Sequence, residues 1–302
     1  MIARIKGKII ILIVYHLACA TGWWASGFCA GSILMQSAIA VAVTVGLVFT
    51  GSLACNNTSI FDPYWSIAPP LMVTFYFTVL LRTSQVPPDL ITGLWGNLLG
   101  APRVAILFLL TMAYSIRLTR NFLRGWPGLS HEDWRYVDFR VKTGKAYWPF
   151  SLLALHIFPA IMVFGGTLSI WVAVVNGFRP MGLMDFAAIL VTGYAIVLEA
   201  SADRQMRKFL AENKETGKTM DKGLWALSRH PNYLGEILFW WGLYLFALSA
   251  NPALWWVIIG PLAITLMFNI ASIPMMEKRM LARRSDYADY MGRVGRMLPW
   301  KW

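Results

Sequence analysis

Arg229, His230, Asn232 and Glu236 crowd into the short stretch SRHPNYLGE (228–236), directly ahead of the apolar run ILFWWGLYLFALSA. Pro231 suits a first helical position, where its missing N–H has no bond to lose, so a helix is expected to start there. Asn232 and Glu236 then share a face with Trp240, one and two turns on. Ser228, Arg229 and His230 gather around the free N–H groups of the helix start, an arrangement able to hold a phosphate or pyrophosphate. The same cations can instead be interfacial anchors, with Glu236 paired to a loop cation. An ionisable group placed inside a membrane edge is a functional candidate in its own right.

Two further stretches have the same character. In LEASADRQMRKF, Glu199, Asp203 and Arg207 fall at i, i+4 and i+8, one stripe of a helix. The stripe is either a salt-bridge ladder or a set of acceptors for ribose hydroxyls and an amide, with Arg207 toward phosphate. In AYSIRLTRNFLRG, Tyr114, Arg117, Asn121 and Arg124 are spaced by three, four and three, again one face, with the tyrosine deepest. A membrane tyrosine can be a belt residue; turned inward beside an arginine, its phenol keeps its proton at neutral pH and can polarise a carbonyl. Asp62, in NNTSIFDPYWS, lies among Tyr64 and Trp65. Desolvation there would favour a protonated carboxyl able to donate a hydrogen bond, whereas an Asx-turn ahead of Pro63 explains the same residue structurally.

The elements that must position these side chains are membrane helices. The chain has 302 residues, 57% hydrophobic and 14% charged, with a net charge of +12. That balance is far more apolar than a soluble domain. Stretches long enough to cross the roughly 30 Å hydrocarbon core fall at 9–30, 34–55, 67–81, 103–122, 150–175, 183–199, 234–249 and 253–273. The expected fold is therefore an all-α, polytopic transmembrane bundle of seven to eight helices; Asn251 and Pro252 alone divide the last two spans. The N-terminal basic patch and apolar run resemble a signal peptide, but without a convincing cleavage site a retained first helix is expected. Residues 1–55 read as N-terminal transmembrane helices and 56–302 as a single membrane domain.

With eight spans, the basic residues of the N-terminus, the fourth-to-fifth loop, the sixth-to-seventh loop and the tail all fall on one side, which the excess of Lys and Arg marks as cytoplasmic. Arg82, Arg103 and Arg179 remain for the other face. The positive charge is thus accounted for without nucleic acid. Cys19, Cys29 and Cys55 have neither metal-ligand nor disulfide spacing and read as packing residues; no metal is expected. GxGxxG after a strand, a Walker loop, HExxH and GxSxG are all absent, and GLWGNLLG (93–100) is spaced wrongly for a dinucleotide fingerprint.

Taken together, GLW-x2-SRHPNYLGE-x3-W (223–240), the preceding Asp203-x3-Arg207 pair, EDWRY (132–136) and a tail with Glu277, Tyr287 and Tyr290 resemble the steroid 5-alpha-reductase family and its bacterial relatives, over roughly residues 56–302. The resemblance implies a helical bundle that binds NADPH from the cytoplasmic side and delivers a hydride to the C=C bond of an enone in a steroid or other lipid. Carried over by position, it places Arg117, Glu199, Asp203, Arg207, Arg229, His230, Asn232, Tyr233 and Glu236 at the dinucleotide. It assigns Tyr114, with Asp62, to the substrate carbonyl. Two departures stand out. Glu199 occupies the position where animal relatives carry Asn, and SIPMMEKRM (272–280) replaces a His-rich tail.

A second enzyme class shares part of the pattern: isoprenylcysteine and phospholipid methyltransferases, which use S-adenosylmethionine, carry an RHPxYxG stretch and a tail glutamate, matched here by Arg229, His230, Pro231, Tyr233, Gly235 and Glu277. Asn232, Glu236, Asp203 and the Tyr114/Arg117 pair favour reduction. A non-enzymatic lipid-binding scaffold is the third reading. The expected surroundings are membrane lipids and a small apolar, steroid-like enone, in a bacterial plasma membrane with both termini cytoplasmic.

Overall fold

In hydrocarbon, every backbone N–H and C=O must find its partner within the protein, so a chain this apolar has helices as its natural spanning element. The computed structural model describes residues 2–83, 101–177, 179–213 and 217–299; Gly93–Gly100, Lys214 and Trp300 lie outside them. Among the described residues every regular element is helical: α1 (Ile2–Ser26), α2 (Ile33–Ala54), α3 (Tyr64–Thr83), α4 (Pro102–Gly125), α5 (Trp134–Thr143), α6 (Tyr147–Phe150), α7 (Phe158–Val175), α8 (Leu183–Glu212), α9 (Pro231–Ala250), α10 (Ile259–Met267), α11 (Ile273–Arg283) and α12 (Tyr287–Arg293). A π-helical turn at Ser151–Ile157 joins α6 to α7, and another at Phe268–Ser272 joins α10 to α11. Eight segments are long and apolar enough to cross a membrane. The chain is a multi-pass membrane protein.

Eight, rather than seven, follows from Asn251. Its side-chain oxygen accepts from Ala253 N at 3.2 Å, capping the 3₁₀ turn Pro252–Ile258 that separates the last two spans. Most spans run longer than expected, α3 and α8 among them. α3 holds Pro69 and Pro70 inside it, and Thr74 Oγ1 donates to the carbonyl of Pro70 at 2.9 Å. α8 continues past residue 199 to Glu212, because Ala, Arg, Gln, Met and Lys sustain a helix beyond the bilayer edge.

Contacts between loops define two faces. On the basic face, Asn57 Nδ2 donates to the carbonyls of Leu129 and His131, both at 2.9 Å. Thr58 N donates to Glu132 Oε1 at 2.8 Å, and Arg140 grips the same carboxylate with two nitrogens. These bonds tie the start of α5 beneath α2 and α3. On the opposite face, Arg103 donates to both oxygens of Asp185 at 2.7 and 2.9 Å, and Ser249 Oγ adds a bond at 2.6 Å. α4, α8 and α9 are thereby joined at that end. The buried core is continuous from Ile11, Tyr15 and Ala18 of α1 through α3 and α4 to Trp240 and Phe246 of α9.

α8 and α9 approach most closely because two glycines, a heptad apart, leave room. A Cβ on Gly235 would lie 2.7 Å from Glu199 Cβ and 2.9 Å from the carbonyl oxygen of Ala195. A Cβ on Gly242 would lie 2.2 Å from Thr192 Oγ1 and 3.0 Å from Thr192 N. Small residues allow membrane helices to gain dispersion contacts along their backbones. Here the approach also sets Glu199 beside the first turn and a half of α9. Gly242→Val should lower the thermal midpoint of the detergent-solubilised protein, by the equivalent of about 1–3 kcal/mol or more, the usual cost of overpacking. Gly193→Ala, whose Cβ meets nothing within 4 Å, should not lower it.

Candidate functional site

α4, α8 and α9 converge on a buried polar cluster. Tyr114 is fully buried and stacks on Phe239, ring centroids 3.8 Å apart. Its hydroxyl donates to Glu236 Oε1 at 2.7 Å, and Trp240 Nε1 donates to the same oxygen at 2.9 Å. A turn down α4, Arg117 Nη2 lies 2.6 Å from Glu199 Oε2, and Nη1 donates to Asp203 Oδ2 at 3.2 Å. Asn121 Nδ2 donates to that Asp203 oxygen at 2.9 Å while its own oxygen accepts from Arg207 Nη1. The i, i+4, i+8 stripe of α8 and the Tyr114, Arg117, Asn121 face of α4 thus meet as ladders. Arg124, at the exposed end of α4, instead lines a groove against α1.

The cluster is acid-rich. One guanidinium serves Glu199 and Asp203, with Glu236 in its field. Glu199 and Glu236 are each only 6% exposed. Arg117 Nη2 and Glu199 Oε2 are held as a buried 2.6 Å ion pair, while Arg117 Nε is buried without a hydrogen-bond partner. Asn232, a turn before Glu236 and half-buried, has no side-chain hydrogen bond among the described residues. Uncommitted donors and acceptors beside a tyrosine–carboxylate pair equip this place to recognise a polar ligand and to hold or move a proton.

Arg229 and His230 go elsewhere. Arg229 Nε donates to Glu277 Oε1 at 2.8 Å, and Nη1 donates to the carbonyls of Val294 and Met291 at 2.6 and 3.2 Å. His230 Nε2 is 3.2 Å from the same Glu277 oxygen, and Ser228 Oγ donates to the carbonyl of Arg296. The cations expected around the helix start thus lock the tail onto α9, and α9 does begin at Pro231. The preceding loop is held on α8 by Leu224 N to Gln205 Oε1, 2.9 Å, and Trp225 Nε1 to the Ala202 carbonyl, 3.1 Å. Tyr233 stacks on His230, centroids 5.5 Å apart, and packs against Phe268. Burial pushes the His230 imidazole below its usual value despite the bond to Glu277, with Arg229 and Arg296 adding to the depression.

Asp62 has a different partner from Tyr114. It accepts a short hydrogen bond from Tyr136 Oη of α5, next to the Arg135–Asp133 ion pair. No bond joins it to the α4/α8/α9 cluster, and Glu236 fills the place beside Tyr114 that Asp62 was expected to share. The reason is local: Asn57 and Thr58 bind the 129–132 loop, which brings Tyr136 over Asp62. The Arg103–Asp185 pair and the buried chain Ser52–His156–Ser151–Thr58–Tyr147 were not anticipated. A lone Asp185 among apolar residues, on the face with few cations, was the available signal for the first. Among the described residues, no group of three His, Cys, Asp or Glu side chains is placed to hold a metal.

Removing Arg117 would strand two carboxylates in low dielectric. Arg117→Met should destabilise the protein by about 3–5 kcal/mol, the cost of breaking a buried ion pair, and adding Glu199→Gln should restore part of it; the denaturation midpoint is the readout. His230 gives a pH signature. Above its usual value of 6.5, imidazole is neutral in both states and stability is flat. Below it, the unfolded chain binds a proton that the native His230 refuses, so stability falls as pH falls. His230→Gln should flatten the melting-temperature slope on the acid side of about pH 6.5.

No solved structure matches the chain. A Schizosaccharomyces pombe protein described as uncharacterized is 28% identical over 270 residues, 82% of this chain and 74% of the yeast protein. Residues 48–294 match the family model described as a protein of unknown function, DUF1295, a span that contains Asp62, Tyr114, Arg117, Glu199, Asp203 and Glu236. The chain belongs to the DUF1295 family, the steroid 5-alpha-reductase-like group.

Proposed function

We propose that this protein is a membrane-embedded, NADPH-dependent reductase that saturates the C=C bond of an enone in a lipid or steroid-like substrate, with its basic face in the cytoplasm. The observation that carries the reading is the buried Tyr114–Glu236 bond beside Arg117, with Glu199 and Asp203 a turn below. The donor set suits the nicotinamide and ribose end of a dinucleotide. Arg117 retains a buried Nε donor without an acceptor, Asn232 has an uncommitted amide, and Glu199 and Asp203 would accept from ribose hydroxyl groups. Arg207, exposed at the lower end of the cluster, would meet phosphate. Arg229 and His230 enter the reading as residues that position the start of α9, with Tyr233 stacked between them and Phe268.

Reduced nicotinamide supplies a hydride. Addition of hydride at the β carbon of an enone builds negative charge on the carbonyl oxygen, and a buried phenol donor stabilises that charge more than it stabilises the ground state. Tyr114 fills this role. Its proton faces Glu236 Oε1; once the carboxyl itself is protonated, the phenol is free to donate to the carbonyl. Trp240 holds the carboxyl in place from the other side. The stacked Phe239 and the surrounding core exclude water, which would otherwise compete for each of these bonds.

A second reading has its own support: Arg229, His230 and Glu277 converge with Tyr233 stacked above, the residues matched by the methyltransferase pattern. Titration of the purified protein with NADPH and with S-adenosylmethionine, followed by tryptophan quenching and thermal shift, separates the two. NADPH should bind. A response to the methyl donor alone would sink the reductase reading. Glu236→Gln and Asn232→Ala should weaken NADPH binding, whereas Tyr114→Phe should leave it and slow turnover at saturating cofactor by about 100-fold or more. Equal loss of binding in all three would overturn this division of roles.

A further inference from the structure

Away from the α4/α8/α9 cluster, two open grooves lie along one flank of α1. A groove of about 770 Å³ between α1 and the lower end of α4 is lined by Arg4, Lys8, Ile67, Thr119, Arg120 and Arg124, with apolar neighbours and no carboxylate. A second groove, also about 770 Å³, climbs between α1 and α3 past Leu12, Cys19, Trp23 and Leu71. Ile67 lines both, so the cationic groove, the mouth of a trough, adjoins a mainly apolar one, its stem, whose other lining residues include His16 and Arg82.

The mouth is built from two helices at fixed separation. Arg4 and Lys8 stand one turn apart on α1, as Arg120 and Arg124 do on α4. Arg4 Nη2 donates to the carbonyls of Leu123 and Arg124 at 3.3 and 2.6 Å, satisfying groups that the end of α4 leaves unbonded. A Cβ on Gly7 would lie 3.2 Å from both Gly128 Cα and Leu129 N, so α1 is seated directly on the loop that follows α4. Arg4 is thus committed to holding the helices together, while Lys8, Arg120 and Arg124 have no carboxylate partner among the described residues. Cations that merely set topology have no need of a shared cleft or of an apolar continuation into the bilayer.

We propose that this trough binds one anionic glycerophospholipid from the surrounding bilayer, its phosphate among Lys8, Arg120 and Arg124 and an acyl chain against Leu12, Cys19, Trp23 and Leu71. Charge complementarity selects the headgroup, and the adjoining of cationic mouth and mainly apolar stem selects a membrane lipid over a free anion. The site is independent of the nucleotide chemistry proposed above.

The full-length protein, delipidated in neutral detergent, should be stabilised saturably by phosphatidylglycerol and retain one such lipid per chain in native mass spectrometry. Phosphatidylcholine and inorganic phosphate at the same concentration should have no comparable effect. The triple variant Lys8→Gln, Arg120→Gln, Arg124→Gln should bind phosphatidylglycerol at least about tenfold more weakly. The control triple Arg204→Gln, Lys278→Gln, Arg283→Gln, which removes cations outside the groove, should not. Ala20→Trp, which fills the stem without altering charge, should weaken binding as well. Equal protection by phosphatidylcholine or by inorganic phosphate, or equal loss in the two triples, would overturn the proposal. If the first triple does not fold, the wild-type comparison and Ala20→Trp decide.

Discussion

The arrangement depends on one guanidinium. Arg117 is the cation that lets Glu199, Asp203 and Glu236 share a small volume of low dielectric, where charges without partners would be costly to bury. It does so imperfectly, since Nε is buried without an acceptor. A buried donor left without a partner forgoes stability, and the reductase reading proposed above offers a reason for it, a ligand group that completes the bond.

The same pairing recurs at the far end of the two helices. Arg103 and Arg117 on α4 are fourteen residues apart, as are their partners Asp185 and Glu199 on α8. Fourteen residues are two heptads, or about 21 Å of helix rise, so α4 and α8 run parallel in register between two Arg–carboxylate clamps. The clamps differ in how completely they are satisfied. Asp185 accepts from Arg103 twice and from Ser249 and Gly182 N besides, whereas at the Arg117 end the Nε donor is left without an acceptor. The closed clamp fixes register, and the other inherits it. α9 is then set against α8 by Gly235 and Gly242, which brings Glu236 within reach of Tyr114.

The helical bundle of about eight spans, the start of α9 at Pro231 and the makeup of each polar stripe were legible because each rests on local rules: apolar length, a proline at the first helical position, and side chains at i and i+4. What the sequence did not disclose is which stripe faces which. Arg229 and His230 read naturally as anion holders at a helix start, yet the tail returns from residue 277 onward to meet them, and a contact across nearly fifty residues leaves no local trace. Asp62 was legible as an acid in apolar surroundings but not as the partner of Tyr136, since that depends on the loop carrying Glu132 being drawn under α3 by Thr58. Periodicity reports the faces of a helix; only packing reports the neighbours.

The motif SRHPNYLGE therefore divides at its proline. Ser228, Arg229 and His230 bond backward to Glu277 and to carbonyls between Met291 and Arg296, so the cations meet the tail of the chain itself. Asn232 and Glu236 project forward along α9, one uncommitted and one bound to Tyr114 and Trp240. Pro231 separates the two halves by forcing the turn from extended chain to helix at a fixed point. With the tail locked, the first turn of α9 is held by groups outside the cluster, which fixes the height of Glu236 relative to Glu199. One half that fixes position and another that reaches the buried Tyr114 cluster explain why Arg, His, Asn and Glu stand so close together at the edge of a membrane helix.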